Sequence, residues 1–356
     1  MTHEKDDPWR GEKKISLALQ GGGSHGAFTW GVLDEILADG RLDIEAVTGT
    51  SAGAMNAVVL AQGLMEGGRE GARRHLEDFW LSVSEESALS APLRAIVDRY
   101  FKGWNMDGSP VQVWLDFVTH YASPYEFNPL NINPLRDHLL RMVDFEKVRA
   151  CKYLKIFVAA TDVNTGHIAI FERPHLTADH VLASACLPFV FQAVEIEGTP
   201  YWDGGYLGNP AIFPLFYKTA CPDIVIVQVN PLQRDGTPRT AREIQNRLNE
   251  ITFNGALLGE LRAIDFVNRL VDSGKLSRED YMRPFMHRID GEEPLKAFSS
   301  ASRMSAAWPF LQQLRDIGKA SAKAWLATNY DAIGERGTLD LRMAYQANGK
   351  PRHPSP

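Results

Sequence analysis

Apolar runs that end in glycine turns punctuate the first part of the chain. Ile15-Ser16-Leu17-Ala18-Leu19 leads into Gly21-Gly22-Gly23-Ser24-His25-Gly26, and Ile44-Glu45-Ala46-Val47 leads into Gly49-Thr50-Ser51-Ala52-Gly53. After each turn the apolar positions switch to helical spacing. Phe28, Val32, Leu33, Ile36 and Leu37 predict a helix over 27–39 that Gly40 ends. Residues 54–64 are almost wholly apolar and predict a helix buried against a sheet, with Gly67 and Gly68 closing the unit. Strand, glycine turn and helix, twice in succession, predict a parallel sheet with crossover helices.

Further along the pattern changes. Residues 69–150 read as short helices cut by Pro110, Pro124, Pro129 and Pro134 and rich in rings, among them Phe79, Trp80, Trp104, Trp114 and Tyr125. Those rings either fill the core or form the wall or lid of an apolar groove. The sheet resumes over 154–160, turns at 161–166 and continues over 167–171, before a short helix over 181–186. A strand over 193–196 turns at Glu197-Gly198 into Tyr201-Trp202, and a third glycine turn follows at Asp203-Gly204-Gly205. The β-branched run 224–229 predicts another parallel strand. Beyond it, Ile244, Leu248 and Ile251 fit one helix, Leu257 to Val271 a longer one, and 309–325 a third. The chain thus divides into an N-terminal segment 1–12, a sheet-bearing region 13–230, a mainly helical region 231–348 and a flexible tail 349–356.

Composition narrows the function classes. The 356 residues are 44% hydrophobic and 23% charged, enough to bury a large core. A formal net charge of −6 and no basic stripe argue against a nucleic-acid partner. The three cysteines, Cys151, Cys186 and Cys221, lack metal-ligand spacing and read as buried thiols in a reducing compartment. Residues 1–12 lack the apolar core of a signal peptide, and no apolar run is long enough to span a bilayer. The expectation is a cytoplasmic protein, with peripheral contact at the inner membrane face left open.

Gly49-Thr50-Ser51-Ala52-Gly53 has the G-x-S-x-G spacing of a nucleophile elbow, in which a serine sits on a sharp strand-to-helix turn. It also reads as an ordinary helix start capped by Thr50 or Ser51. The first turn places backbone N–H groups at a helix N-terminus, where an oxyanion is stabilised. Gly21, Gly23 and Gly26 equally satisfy a dinucleotide fingerprint, but the second strand ends in Gly49-Thr50-Ser51 rather than in the acid that would hold a ribose. A serine nucleophile needs a base. Only His287 and His353 follow Asp203; His353 lies in a Pro-rich tail and His287 has no turn signature around it, whereas Asp203 has aromatics before it and two glycines after it. Burial beside Tyr201 and Trp202 would raise its pKa towards that of a useful base. A plain Asp-Gly turn is the bland alternative.

Taken together, the three glycine motifs over about residues 13–230 resemble the patatin-like phospholipases. Thr161-Asp162 with Gly166, Ser184 with Pro188, and Asn209-Pro210 add to the likeness. The resemblance implies a three-layer α/β/α fold on a mostly parallel sheet, here with a helical C-terminal extension. It implies a serine–aspartate dyad without histidine: Ser51 as nucleophile, Asp203 as base, and the backbone of Gly21, Gly22 and Gly23 as oxyanion hole. His25, Gly26, Gly49, Gly53, Gly204 and Gly205 support these motifs. No metal or organic cofactor is implied. The expected activity is hydrolysis of phospholipid, lysophospholipid or another long-chain ester. A thioester, a polyester oligomer or a weakly catalytic lipid-binding role stands as the alternative. The C-terminal helices are expected to form a cap, an oligomer surface or a cover for the sheet. One departure stands out: the family usually has Arg or Lys where this chain has His25, which is mostly neutral at pH 7. His25 is expected either to weaken loop orientation and head-group attraction, or to be a plain exposed first-turn residue.

Overall fold

The computed structural model describes residues 11–89, 123–234, 236–296, 298, 302–303 and 305–346. The ring-rich stretch from Tyr100 to Tyr121 and the tail from 349 lie outside those residues, and with them the reading of a lid and of a flexible tail.

Strand β1 (Lys13–Leu19) is followed by helix α1 (Gly26–Asp39), β2 (Leu42–Gly49) and α2 (Ala52–Leu89). Gly40, at φ 79°, caps α1 by donating its N–H to Ile36 O. Gly67 and Gly68 break α2 rather than end it: Gly68 takes φ 60°, and the chain resumes as helix. The two halves then pack tightly, for a Cβ on Gly63 would lie 2.4 Å from Ala72 Cα. Short helices α3 (Pro124–Phe127), α4 (Pro134–Met142) and α5 (Phe145–Ala150) precede β3 (Lys155–Asp162). Then come β4 (Ile168–Glu172), α6 (Ala178–Ser184), the hairpin β5 (Val194–Ile196) and β6 (Thr199–Asp203), α7 (Phe213–Lys218) and β7 (Asp223–Gln228). The C-terminal part holds α8 (Ala241–Asp272), β8 (Phe285–Asp290), α9 (Glu292–Lys296), α10 (Trp308–Asn329) and α11 (Leu341–Tyr345).

All eight described strands form one sheet in the order β5-β6-β3-β2-β1-β7-β8, with β4 also on β3. The run β3-β2-β1-β7-β8 is parallel, while β4, β5 and β6 are antiparallel. Alternation along the strands sends side chains to two separate cores. Leu17, Leu19, Val225 and Val227 face α1, α2 and α10, whereas Ala18, Ile224 and Ile226 face Leu257, Leu261 and Ile264 of α8. The result is a three-layer α/β/α fold.

Two further elements differ from the sequence reading. The helices expected at 244–251 and 257–271 are one continuous α8, opened by a capping box of Thr240 and Glu243. The stretch around His287 is a buried strand, β8, parallel to β7. The helix expected over 309–325 is α10, and it packs backbone to backbone on α1. A Cβ on Gly31 would lie 1.9 Å from Arg315 O, and one on Gly318 would lie 2.1 Å from Phe28 O. Leu311, Leu314, Trp325 and Leu326 of α10 are buried there, each contributing roughly 1.5–3 kcal/mol of apolar burial. Among the described residues no helix is long and apolar enough to cross a membrane.

Candidate active site

The register of β3 explains why Ser51 and Asp203, far apart in the chain, meet. One edge of β3 carries β4 along its length, from Phe157 to Thr161. The other edge carries β2 only as far as Gly49 opposite Val158, and then β6 with Asp203 opposite Ala160. Because β6 runs antiparallel, its end is aimed at the end of β2. The two strands abut on one edge of β3, and the turn after each lands in the same place.

Sterics make those turns glycine-rich. A Cβ on Gly49 would sit 2.6 Å from the backbone of Gly53, and one on Gly53 would sit 2.3 Å from Leu19 O. A Cβ on Gly204 would meet Ala159 O at 2.2 Å, and one on Gly205 the Phe253 ring at 2.5 Å. One on Gly26 would meet Ala52 Cβ at 2.6 Å. Ser51 itself takes φ 54°, a strained backbone for a residue with a Cβ. Its N–H donates to Ser184 Oγ at 2.9 Å, and Thr50 Oγ1 donates to Gly208 O at 2.6 Å. A capped helix start would not need this geometry; an elbow does.

Asp203 is 3% exposed. Its carboxylate accepts the Gly205 N–H at 2.6 Å, and the Ser51 hydroxyl lies close enough to favour its charged form. Burial pushes its pKa up to about 7, against the opposing pull of those two donors. The expected cover by aromatic neighbours takes another form. Tyr201 packs edge-on against Phe171 with ring centroids 5.3 Å apart, while the Asp203 N–H is tied to Cys186 O at 2.8 Å. Among the described residues the carboxylate has no cation beside it, so it is poised to exchange a proton near neutral pH.

The glycine turn lies against the elbow, since a Cβ on Gly21 would be 2.9 Å from Ser51 Cβ. Here the structure corrects one expectation. The Gly21 N–H is not free for an oxyanion, because it donates to Asn209 Oδ1 at 2.6 Å. The Gly21 carbonyl is pinned as well, by Asn230 Nδ2 at 2.7 Å. Gln20 anchors the same turn, accepting the Val229 and Asn230 N–H groups and donating to Asn254 Oδ1. Among the described residues the N–H groups of Gly22 and Gly23 have no such acceptor.

A family model for patatin-like phospholipases matches residues 17–216, a span that holds the elbow, the glycine turn and the aspartate turn. The chain belongs to the patatin-like phospholipase family. That family consists in general of lipid acyl hydrolases. No curated protein matches the chain. Among solved structures it is similar to VipD from Legionella pneumophila, at 16% identity and a TM-score of 0.39 over 86% of this chain and 67% of VipD. It is also similar to full-length ExoU, solved with SpcU from the type III secretion system of Pseudomonas aeruginosa. There the identity is 15% and the TM-score 0.34, over 88% of this chain and 53% of ExoU. The chain therefore spans about half the length of ExoU.

Within this family member, His25 is the second correction. It is 3% exposed, not a surface residue, and its ring packs against both Phe298 and Phe310. Burial, and then the charges of Arg303 and Arg234, push its pKa down to about 3, so it stays neutral at any working pH. Its Nε2 meets Ser302 Oγ at 2.8 Å. Sequence reasoning missed the polar residues that hold the patatin-like site together. Gln20 and Asn230 are far apart in the chain and carry no periodic signal; Ser184 with Pro188 and Asn209 with Pro210 stand within recognised motifs, but the sequence assigns them no role.

Proposed function

We propose that this patatin-like protein is a serine lipid acyl hydrolase working through a Ser51–Asp203 dyad. The observation that carries the reading is the strained Ser51 with its hydroxyl beside a buried carboxylate that has no cationic partner among the described residues. Asp203 takes the hydroxyl proton as Ser51 Oγ attacks the ester carbonyl, and the Gly22 and Gly23 N–H groups receive the negative charge of the tetrahedral intermediate. The protonated Asp203 returns that proton to the leaving alcohol, giving an acyl-enzyme. Asp203 then takes a proton from water as it attacks the acyl-enzyme, and returns that proton to Ser51 Oγ as the fatty acid leaves, which restores both groups. A carboxyl group with a pKa of about 7 suits both halves, since each form is available near neutrality.

Exposed apolar side chains follow Cys186, whose carbonyl holds the Asp203 N–H, and support a lipid substrate. Phe189 lies just beyond Cys186, and Leu130 and Ile132 come from a segment joined to it by Gln192 Nε2 donating to Asn128 O at 2.7 Å. The test compares wild type with Ser51→Ala by fluorophosphonate labelling and by hydrolysis of p-nitrophenyl esters of graded chain length. Labelling and turnover should both vanish in the variant, and the wild type should prefer long chains. A folded Ser51→Ala protein with normal turnover rejects the dyad, and a preference for acetate rejects the lipid substrate.

A further inference from the structure

A cluster of charge that the dyad does not use lies behind the glycine turn. Arg303, Arg234 and Arg247 share one acid, Glu250, at 3.5, 2.9 and 3.2 Å. The side chains of Glu250 and Arg303 are only 3% and 8% exposed. Three cations against one anion leave a formal excess of positive charge among the described residues, and Arg303 Nε has no hydrogen-bond partner. Burying an incompletely paired guanidinium is costly, and folds keep such costs mainly where a site uses them.

Position connects the cluster to the chemistry. The Arg303 backbone presses on the turn so closely that a Cβ on Gly23 would lie 2.5 Å from its carbonyl oxygen. The neighbouring Ser302 is tied to His25 of the same turn at 2.8 Å. His25 is neutral and supplies no charge of its own. The positive field at the back of the oxyanion donors therefore comes from the C-terminal segment.

We propose that Arg303 is an electrostatic positioning residue, holding uncompensated positive charge behind Gly22 and Gly23 that favours the oxyanion over the neutral ester. The inference rests on the dyad reading above. A unit charge about 10 Å from an oxyanion, at an effective dielectric of about 20, changes the rate about tenfold. Because the ground-state ester is neutral, the effect belongs in kcat and not in KM.

The experiment uses the full chain, a neutral p-nitrophenyl ester and the fluorophosphonate probe, with folding checked by thermal unfolding. Arg303→Met should lose about tenfold in kcat, with KM within about twofold, and its labelling rate should fall in parallel. Arg303→Lys, which keeps the charge, should recover most of both. Glu250→Gln breaks the same ion pairs but leaves more positive charge, so its kcat per folded molecule should hold or rise. The proposal is overturned by wild-type kcat in Arg303→Met, by Arg303→Lys no better than Arg303→Met, or by Glu250→Gln losing kcat as Arg303→Met does. It is overturned equally by a loss confined to KM for anionic esters, which would make the cluster a head-group site. If Arg303→Met does not fold, the contrast between Arg303→Lys and Glu250→Gln decides. A wild type indistinguishable from Ser51→Ala would instead remove the dyad reading beneath it.

Discussion

Two aspartates are almost equally buried and have opposite surroundings. Asp203, beside the ends of β1 and β2, has one backbone N–H and one hydroxyl for company. Asp223, at the amino end of β7, accepts His287 Nε2 at 3.0 Å and the Gly334 N–H at 3.0 Å. His287 is completed in turn by Thr338 Oγ1 at 2.9 Å, beneath the edge of Trp325. Burial alone therefore does not decide what a carboxylate does. The one with no cation or histidine beside it among the described residues has its pKa pushed up to about 7, while the one given a histidine serves as a clamp joining β7, β8 and the 334–338 loop.

The largest test of this contrast is Ser51→Ala. Turnover and labelling should drop by about 10⁴-fold or more, while stability moves by less than about 0.5 kcal/mol, because a small, half-buried hydroxyl is all that is removed. Kinetics and thermal unfolding measure the two sides separately.

Asp203→Asn comes next, with an expected loss of about 10³-fold in kcat. In the wild type, kcat/KM should rise with pH through about 7, as the carboxylate form appears. Stability should run the other way. Asp203 ionises near pH 3.8 in the unfolded chain and near 7 in the folded one, so between those values the folded state holds the extra proton. Stability then falls as pH rises through that window and levels off above it, by on the order of 4 kcal/mol for this group. Glu260, buried against the N–H groups of Ile212 and Phe213, is pushed up to about 7 and slopes the same way. Asp203→Asn should flatten part of the decline in a pH series of unfolding curves and leave the Glu260 part; an unchanged slope would contradict the raised value.

The opposite end of the sheet should respond in the opposite currency. His287→Leu leaves Asp223 buried without its histidine and should cost about 3 kcal/mol of stability, with kcat per folded molecule within about twofold of wild type. Equal damage to kcat and stability would erase the contrast between the two ends. The smallest effect belongs to Ser184→Ala, which removes the acceptor of the Ser51 N–H. A loss of about 1 kcal/mol and of about tenfold in kcat is expected, read from unfolding and initial rates.

Much of the site is legible in the sequence because it is written in local sterics. Gly49, Gly53, Gly204 and Gly205 stand where a side chain would strike backbone, a ring or a carboxylate, and Ser51 stands between the first pair. Such a turn admits few residues, so its spelling is short and recognisable. The two sheet faces are legible for a similar reason, since the alternation of Leu17, Ala18 and Leu19 already assigns each to a side. The strand around His287 escaped notice because Phe285 to Asp290 alternates only partly, and its burial depends on a neighbour, β7, far back in the chain.

By itself, then, the sequence determined where the turns fall, which serine is strained and which aspartate closes the last glycine motif, because those features depend on a few adjacent residues. Only the tertiary structure decided that β6 returns along the edge of β3 that β2 vacates, bringing Asp203 to Ser51. It also decided that Asn209 takes the Gly21 N–H, that His25 is buried and neutral, and that the Arg303 backbone packs against Gly23. Each of these rests on a contact between distant parts of the chain, and strand pairing and side-chain reach across such distances leave no period or spacing in the residues themselves.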